Sequence, residues 1–479
     1  MDNHPNIMIF VMDSQRTTNL GVYGYPKHTT PQLEAIAGEG MVYDNHRSSS
    51  PWCLASYASI NTGKYPSSHG ANIRFESLLE EYPTLAETLS RHDYSTAGFS
   101  SNSYFSDVVG TNRGFEHFEF YKANKEVDQD KGSAEMERRV LKWLDERDQE
   151  KPFFLFINSN EPHWPYWAPE PYRFLFLPEN HGHDEDALRA LQKRAQTRPD
   201  LVDKTLTPEE WQLVKGLYDG ETARSDGALG TIVDAMRQKE IIDNTLIIVT
   251  SDHGEDQGEH MGFISHACTL NRTVLQVPLI MRLPGVIPAG KRFSGMSQDV
   301  DFFPTILTIA GLDDDVWHGG LEGRSLVPTF QDESVREYAI AEFSPPLRLL
   351  ERDLRGHELP SRYARHHFRA LKSLEDQKYR FIWSSNGQDE LFNMETDPGE
   401  TQNLLDELPE TSNMYYKKLD EWMMARPHRD YGDALNIHPI KGVKTENLRR
   451  LEQWGLLRHL HPIPFGGSDE NLSHTIDRS

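Results

Sequence analysis

The chain has only two cysteines, Cys53 and Cys268, in 479 residues. At most one bridge can form, and no paired Cys-x-x-Cys spacing offers a structural zinc site, so the fold must rest on an ordinary apolar core. Basic charge is also scarce: 50 Lys and Arg stand against 74 Asp and Glu, a net charge of −24. That balance repels polyanions and excludes a nucleic-acid reader or a binder of anionic membrane as the whole-chain function. No window reaches the ~18 apolar residues of a membrane span, and the start, MDNHPNIMIFVMDS, has no basic segment ahead of a long apolar one, so a cytoplasmic protein is expected. Low-complexity tracts and internal repeats are missing as well, which excludes solenoids and long disordered linkers.

What is present is a soluble globular composition, 37% hydrophobic and 26% charged, in a chain long enough for one large and one smaller domain. Short apolar runs of strand length recur: NIMIFVM from Asn6, STAGFS from Ser95, FFLFIN from Phe153, TLIIVT from Thr245 and VPLIMRL from Val277. Helix-like segments at 82–92, 134–146 and 208–239 separate them. This alternation predicts an α/β fold, a large mostly parallel sheet sandwiched by helices. After residue 330 the segments shorten and turn signals such as Asn386-Gly387 appear, so residues 1–330 are expected to form a catalytic domain and 331–479 a C-terminal α+β subdomain with a loose tail.

Ligands of open α/β sheets bind beyond the carboxyl ends of the strands. There the first run delivers Asp13, the Phe153 run leads to Asn158-Ser-Asn-Glu-Pro-His163, and the Thr245 run leads to Ser251-Asp252-His253-Gly254. Two carboxylates and an imidazole could hold one divalent cation, and an oxygen-rich set with one nitrogen suits Ca²⁺, with Mn²⁺ or Mg²⁺ as alternatives. Cys53 follows Pro51-Trp52 and opens a predicted helix over 54–62 that Gly63 ends; a helix N-terminus lowers a thiol pKa, so a nucleophile fits there. A buried cysteine packed beside Trp52 is the other reading of the same residues.

Together these segments resemble the sulfatase family of the alkaline-phosphatase-like superfamily. The likeness runs from NIMIFVMDSQRTTNLGVYGYPKHTTPQLEAIAGEG through SPWCLASYASINTGKYPSSHG, NSNEPHWPY and TSDHGEDQGEHMGFISH to GLEGRSLVP and ELFNMETDPGETQNL. It implies one divalent metal held by Asp13, Asp252 and His253 with residue 53 touching it. It also implies a metal-dependent hydrolase of sulfate esters, small anionic substrates, in which Cys53 is the nucleophile after oxidation to formylglycine by a formylglycine-generating enzyme. His163 and His266 fall where such proteins place catalytic groups for charge stabilisation and proton donation, and Asn102 is a substrate-binding candidate. A homo-oligomer is left open.

Four features depart from the pattern. Cys-x-Pro-Ser-Arg is replaced by Cys53-Leu-Ala55-Ser56-Tyr57, the paired acid after the first strand by Asp13-Ser14, and the late lysine by Ser265 ahead of His266; a Gly-Lys-Trp-His segment has no counterpart near 98–105. They point toward the branch that includes phosphonate monoester hydrolases and phosphodiesterases, with an unmodified thiolate or a pseudoenzyme as further alternatives. The locally basic stretch 348–372 could contribute Arg362, Arg365, His366 or His367 to an anionic substrate, although a solvated face paired with Glu351, Asp353 and Glu358 is the plainer expectation.

Overall fold

In the computed structural model the described residues are 4–71, 77–121, 131–179, 184–197, 205–312, 320–344 and 369–426. The residues Arg362, Arg365, His366 and His367, and the C-terminal tail, lie outside them. Fourteen strands are placed among the described residues: β1 (Asn6–Met12), β2 (Met41–Arg47), β3 (Ser95–Ser100), β4 (His117–Phe120), β5 (Phe153–Ser159), β6 (Thr245–Thr250), β7 (Asp256–Gln257), β8 (Ile264–Ser265), β9 (Leu279–Arg282), β10 (Lys291–Gln298), β11 (Ala339–Phe343), β12 (Leu371–Glu375), β13 (Tyr379–Ser384) and β14 (Glu390–Asn393).

Eight of them form one sheet in the order β10-β2-β9-β6-β1-β5-β3-β4. Every neighbouring pair is parallel except those of β9, which runs antiparallel to both β2 and β6. The central strands read as unbroken apolar runs because both faces are covered. On one face Ile7, Ile9, Val11, Phe154, Phe156, Leu246 and Ile248 pack with Tyr57 and Ile60 of the helix Cys53–Thr62 and with the helix Phe302–Ile309. On the other, Met8, Phe10, Met12, Leu155, Ile157, Ile247 and Val249 meet the helices Ser133–Glu146 and Pro208–Gln238. Successive residues of one strand thus serve two separate cores, the period-two geometry of a pleated strand.

Helix ends match their local chemistry. Pro208–Gln238 starts with proline at its first turn behind a Thr207–Glu210 capping box. Cys53–Thr62 ends on Gly63 at φ 64°, a left-handed position that glycine adopts without the Cβ penalty.

The later strands β11-β12-β13-β14 make a separate antiparallel sheet backed by Tyr415, Leu419 and Trp422 of the helix Pro409–Met424. It is fastened to the large sheet through buried charge. Arg47 at the end of β2 grips Glu375 of β12 with two bonds, Nη2–Oε1 at 2.6 Å and Nε–Oε2 at 2.9 Å. Arg380 of β13 also binds Glu375 and reaches Glu400 at 2.6 Å. In the large sheet, strands β2, β4 and β10 escaped apolar periodicity, as β7, β8, β11 and β12 did elsewhere: β2 (MVYDNHR) and β10 (KRFSGMSQ) carry too many polar residues to read as runs.

Candidate active site

The carboxyl ends of β1, β5 and β6 lie side by side, and they deliver the polar residues to one place. Asp13 prolongs β1, its N–H still donating to the Ser159 carbonyl of β5 at 2.9 Å. Ser14 then turns the chain with φ 64°, held by its N–H donating to Asp252 Oδ1 (3.2 Å) and its carbonyl accepting from the Tyr218 hydroxyl (2.8 Å). A non-glycine residue in this region costs about 1–3 kcal/mol and persists only when neighbours over-determine it. Gly254 is needed after His253 because a Cβ there would sit 2.2 Å from the Thr273 carbonyl oxygen.

Asp13, Cys53, Asp252 and His253 each present one donor atom, all within 4.8 Å of one another, and all four side chains are buried. Cys53 is the first residue of its helix, and its Sγ lies 3.1 Å from His253 Nε2. The His253 Nδ1–H donates to the Gly254 carbonyl at 2.8 Å, which fixes the tautomer and leaves Nε2 as a lone pair toward the site. That lone pair is 3.4 Å from Asp252 Oδ2, an oxygen that is buried without any hydrogen-bond donor. An unpartnered carboxylate oxygen facing an unprotonated imidazole nitrogen and a second carboxylate is the pattern a divalent cation resolves. The donor set therefore fits such an ion.

One oxygen of Asp13 is fully engaged from behind. Oδ2 accepts from Asn102 Nδ2 (2.7 Å), the Tyr57 hydroxyl (2.9 Å) and Asn158 Nδ2 (3.1 Å), while Asn158 also donates to Tyr57 at 2.6 Å. Burial alone would raise the Asp13 pKa, but His163, His253 and these donors outweigh it and hold the carboxyl below its ordinary value. Asp252 goes the other way: burial, then the charge of Asp13, pushes it up to about 8. Burial, Asp13 and Asp252 also drive the Cys53 thiol well above its ordinary value. The expected lowering by the helix N-terminus is overturned, because desolvation and two carboxylates exceed a terminus worth at most ~2 kcal/mol.

His163 and His266 also approach Cys53, each offering a nitrogen within 4.8 Å of Cys53 Sγ and of the other. His163 Nδ1 bonds the Trp164 carbonyl at 2.7 Å; His266 Nδ1 bonds Glu255 Oε1 at 3.1 Å. The His266 ring stacks on His253 with centroids 4.2 Å apart and faces Trp52 at 5.9 Å. Lys131 donates to the His163 carbonyl and pairs with Glu221 at 3.1 Å.

All seven residues singled out in the sequence therefore converge. Asn102 does so with both polar ends committed inside the protein, Nδ2 to Asp13 and Oδ1 to the Tyr104 N–H at 2.9 Å. Sequence reasoning missed Tyr57, Asn158, Glu255 and Lys131. Asn158 carried a usable signal as the polar residue ending an apolar run; Tyr57 stood out only as a departure from a motif.

A family model described as Sulfatase matches residues 5–312. Arylsulfatase K of Canis lupus familiaris is 24% identical over 453 residues, covering 87% of this chain and 82% of that protein. The crystal structure of a phosphonate monoester hydrolase of Agrobacterium radiobacter superposes with a TM-score of 0.73 at 22% identity, over 88% of this chain and 96% of that one. A protein solved in complex with its substrate D-glucosamine-2-N,6-O-disulfate superposes with a TM-score of 0.71 at 20% identity, over 92% of this chain and all of that one.

Proposed function

Because the chain belongs to the sulfatase family of hydrolases, we propose that it hydrolyses sulfate esters with residue 53, oxidised from cysteine to formylglycine, as the nucleophile. The observation that carries this reading is that Cys53 Sγ belongs to two sets of groups. Asp13, Asp252 and His253 form one with it and His163 and His266 the other, every donor within 4.8 Å of the sulfur.

Asp13, Asp252 and His253 are the residues that would hold the divalent ion. Bound there, it supplies positive charge to the nucleophile and to the ester oxygens. As an aldehyde hydrate, residue 53 supplies an oxygen nucleophile and a second hydroxyl whose deprotonation expels sulfate, which leaves no stable ester to hydrolyse. The thiol itself is a poor substitute, since burial and two carboxylates keep it protonated in the absence of a cation.

Three donors on Asp13 Oδ2 leave Oδ1 to face the ion, so Asn102, Asn158 and Tyr57 orient the carboxylate. His163 and His266 have their Nδ1 atoms tied to Trp164 and Glu255, which leaves Nε2 of each for the ester. From there they place positive charge beside the sulfuryl oxygens and give a proton to the departing alcohol.

Phosphonate monoester or phosphodiester hydrolysis at the same residues is the second reading. It is favoured by Ser14, which leaves two carboxylates, Asp13 and Asp252, in the donor set among the described residues. Matched aryl sulfate, phosphodiester and phosphonate monoester substrates separate the two, with peptide mass across residue 53 measured on the same sample. We expect the aldehyde form to turn over the sulfate best; dominant phosphonate or diester turnover overturns the sulfatase reading.

A further inference from the structure

The groups around Cys53 differ in chemistry. Asp13, Asp252 and His253 offer two carboxylates and one imidazole, His163 and His266 offer two imidazoles and no oxygen, and the Cys53 sulfur is common to both sets. We propose that, while residue 53 is a thiol, Cys53, His163 and His266 form a second cation site selective for a thiophilic divalent ion of the Zn²⁺ type. It rests on the reading of residue 53 as the reactive position, whose thiol is the precursor of the aldehyde.

Three observations carry this. The donor atoms lie within 4.8 Å of one another, against the ~3.5 Å separation that tetrahedral zinc with bonds of ~2.0–2.3 Å requires, so small side-chain rotations close the set. Each histidine has Nδ1 occupied by an acceptor, the Trp164 carbonyl at 2.7 Å and Glu255 Oε1 at 3.1 Å, so each keeps Nε2 for a ligand. A metal-binding imidazole is held in this way, by a backbone carbonyl or a carboxylate on its other nitrogen. Finally, the set is three donors rather than four. A fourth position remains for a water or other small ligand, as in zinc sites with three protein ligands, and both histidines keep some exposure, so an ion has a route in.

Binding displaces the Cys53 thiol proton to solvent and forms one sulfur and two nitrogen bonds. The loaded ion covers Sγ and both imidazoles and therefore blocks the site until it is removed. In the form whose residue 53 is an aldehyde there is no sulfur to bind, and the preference for a soft ion is lost with it. The site thus distinguishes the immature chain from the mature one.

The test uses full-length protein made without the modifying enzyme, with mass across residue 53 confirming the thiol. Co²⁺ is titrated into metal-stripped protein already saturated with Ca²⁺. The expected result is one equivalent of Co²⁺ with a thiolate-to-cobalt charge-transfer band in the near ultraviolet, and at least ~10-fold weaker binding in His163→Gln and in His266→Gln. Absence of the band, or a band of undiminished affinity in both variants, overturns the proposal.

A second measurement needs no variant. With Ca²⁺ saturating, Zn²⁺ must slow alkylation of Cys53 by iodoacetamide while Cys268 reacts as before, and equal rates at Cys53 with and without Zn²⁺ also overturn it. Ester hydrolysis by the aldehyde form is scored separately. Hydrolysis without cobalt capture by the thiol form leaves the function standing and removes this site, and capture without hydrolysis does the reverse.

Discussion

The Tyr57 hydroxyl stands where the related motif carries an arginine, and its removal measures how much of the site depends on the rear hold on Asp13. In Tyr57→Phe the ring keeps its packing against Phe105 and Phe156, with centroids 5.4 and 6.3 Å away. The lost interactions are the 2.9 Å bond to Asp13 Oδ2 and the 2.6 Å bond from Asn158 Nδ2. A hydrogen bond to a charged acceptor contributes about 1.5–3 kcal/mol, and each ~1.4 kcal/mol is tenfold, which bounds the effect at roughly 10- to 150-fold. Asn102 and Asn158 still hold the same oxygen, so the lower end applies: divalent-cation affinity should fall about 10- to 30-fold, within the range for residues behind a metal ligand. Calorimetric titration of the metal-stripped protein measures it. Aryl sulfate turnover should fall at limiting cation and recover when the cation is raised. An affinity within about twofold of the parent protein would show that Tyr57 does not hold Asp13 in any functional sense.

Three further outcomes follow from the same geometry. Asp252 has a folded pKa of about 8, above its unfolded value, so its contribution to stability is fully present below the unfolded pKa of ~3.9 and is lost as pH rises through about 8. Thermal melts of metal-stripped protein should therefore show stability falling from about pH 4 to about pH 8, and the slope should flatten in Asp252→Asn or on adding Ca²⁺; a pH-independent melt of the stripped protein would contradict it. Glu375→Ala leaves Arg47 and Arg380 without their shared buried carboxylate, so denaturant unfolding should show a loss of about 3–5 kcal/mol, and a loss below ~1 kcal/mol would mean the two sheets are not joined through this cluster. His266→Ala should lower kcat/KM for an aryl sulfate with a poor leaving group by about 10²–10⁴-fold, and much less for one whose leaving group needs no proton; equal losses on both would remove proton donation from its role.

The central strands were legible because both of their faces are buried, so the sequence must be apolar without interruption there, and Asn6–Met12, Ser95–Ser100 and Thr245–Thr250 are found at the expected bounds. Strands toward the edge, such as Met41–Arg47 and Lys291–Gln298, carry solvated or ion-paired side chains, and no period distinguishes them from loop. The direction of β9 was equally hidden, because an apolar run reads the same whichever way its strand is laid between β2 and β6.

By itself the sequence determined that polar residues, among them Asp13, Asp252 and His253, end apolar strand runs, and the family resemblance added Cys53 at a helix start as their expected companion. Only the tertiary structure decided what each of them experiences. Cys53 at a helix N-terminus should be acidified on local grounds, yet burial beside Asp13 and Asp252 reverses the direction. Tyr57 reads in the sequence only as a departure from a motif, and its role shows once its hydroxyl is seen on Asp13, 44 residues away along the chain. Local chemistry is written in neighbouring residues, whereas desolvation, charge coupling and hydrogen bonds between distant strand ends exist only once the sheet has brought those ends together.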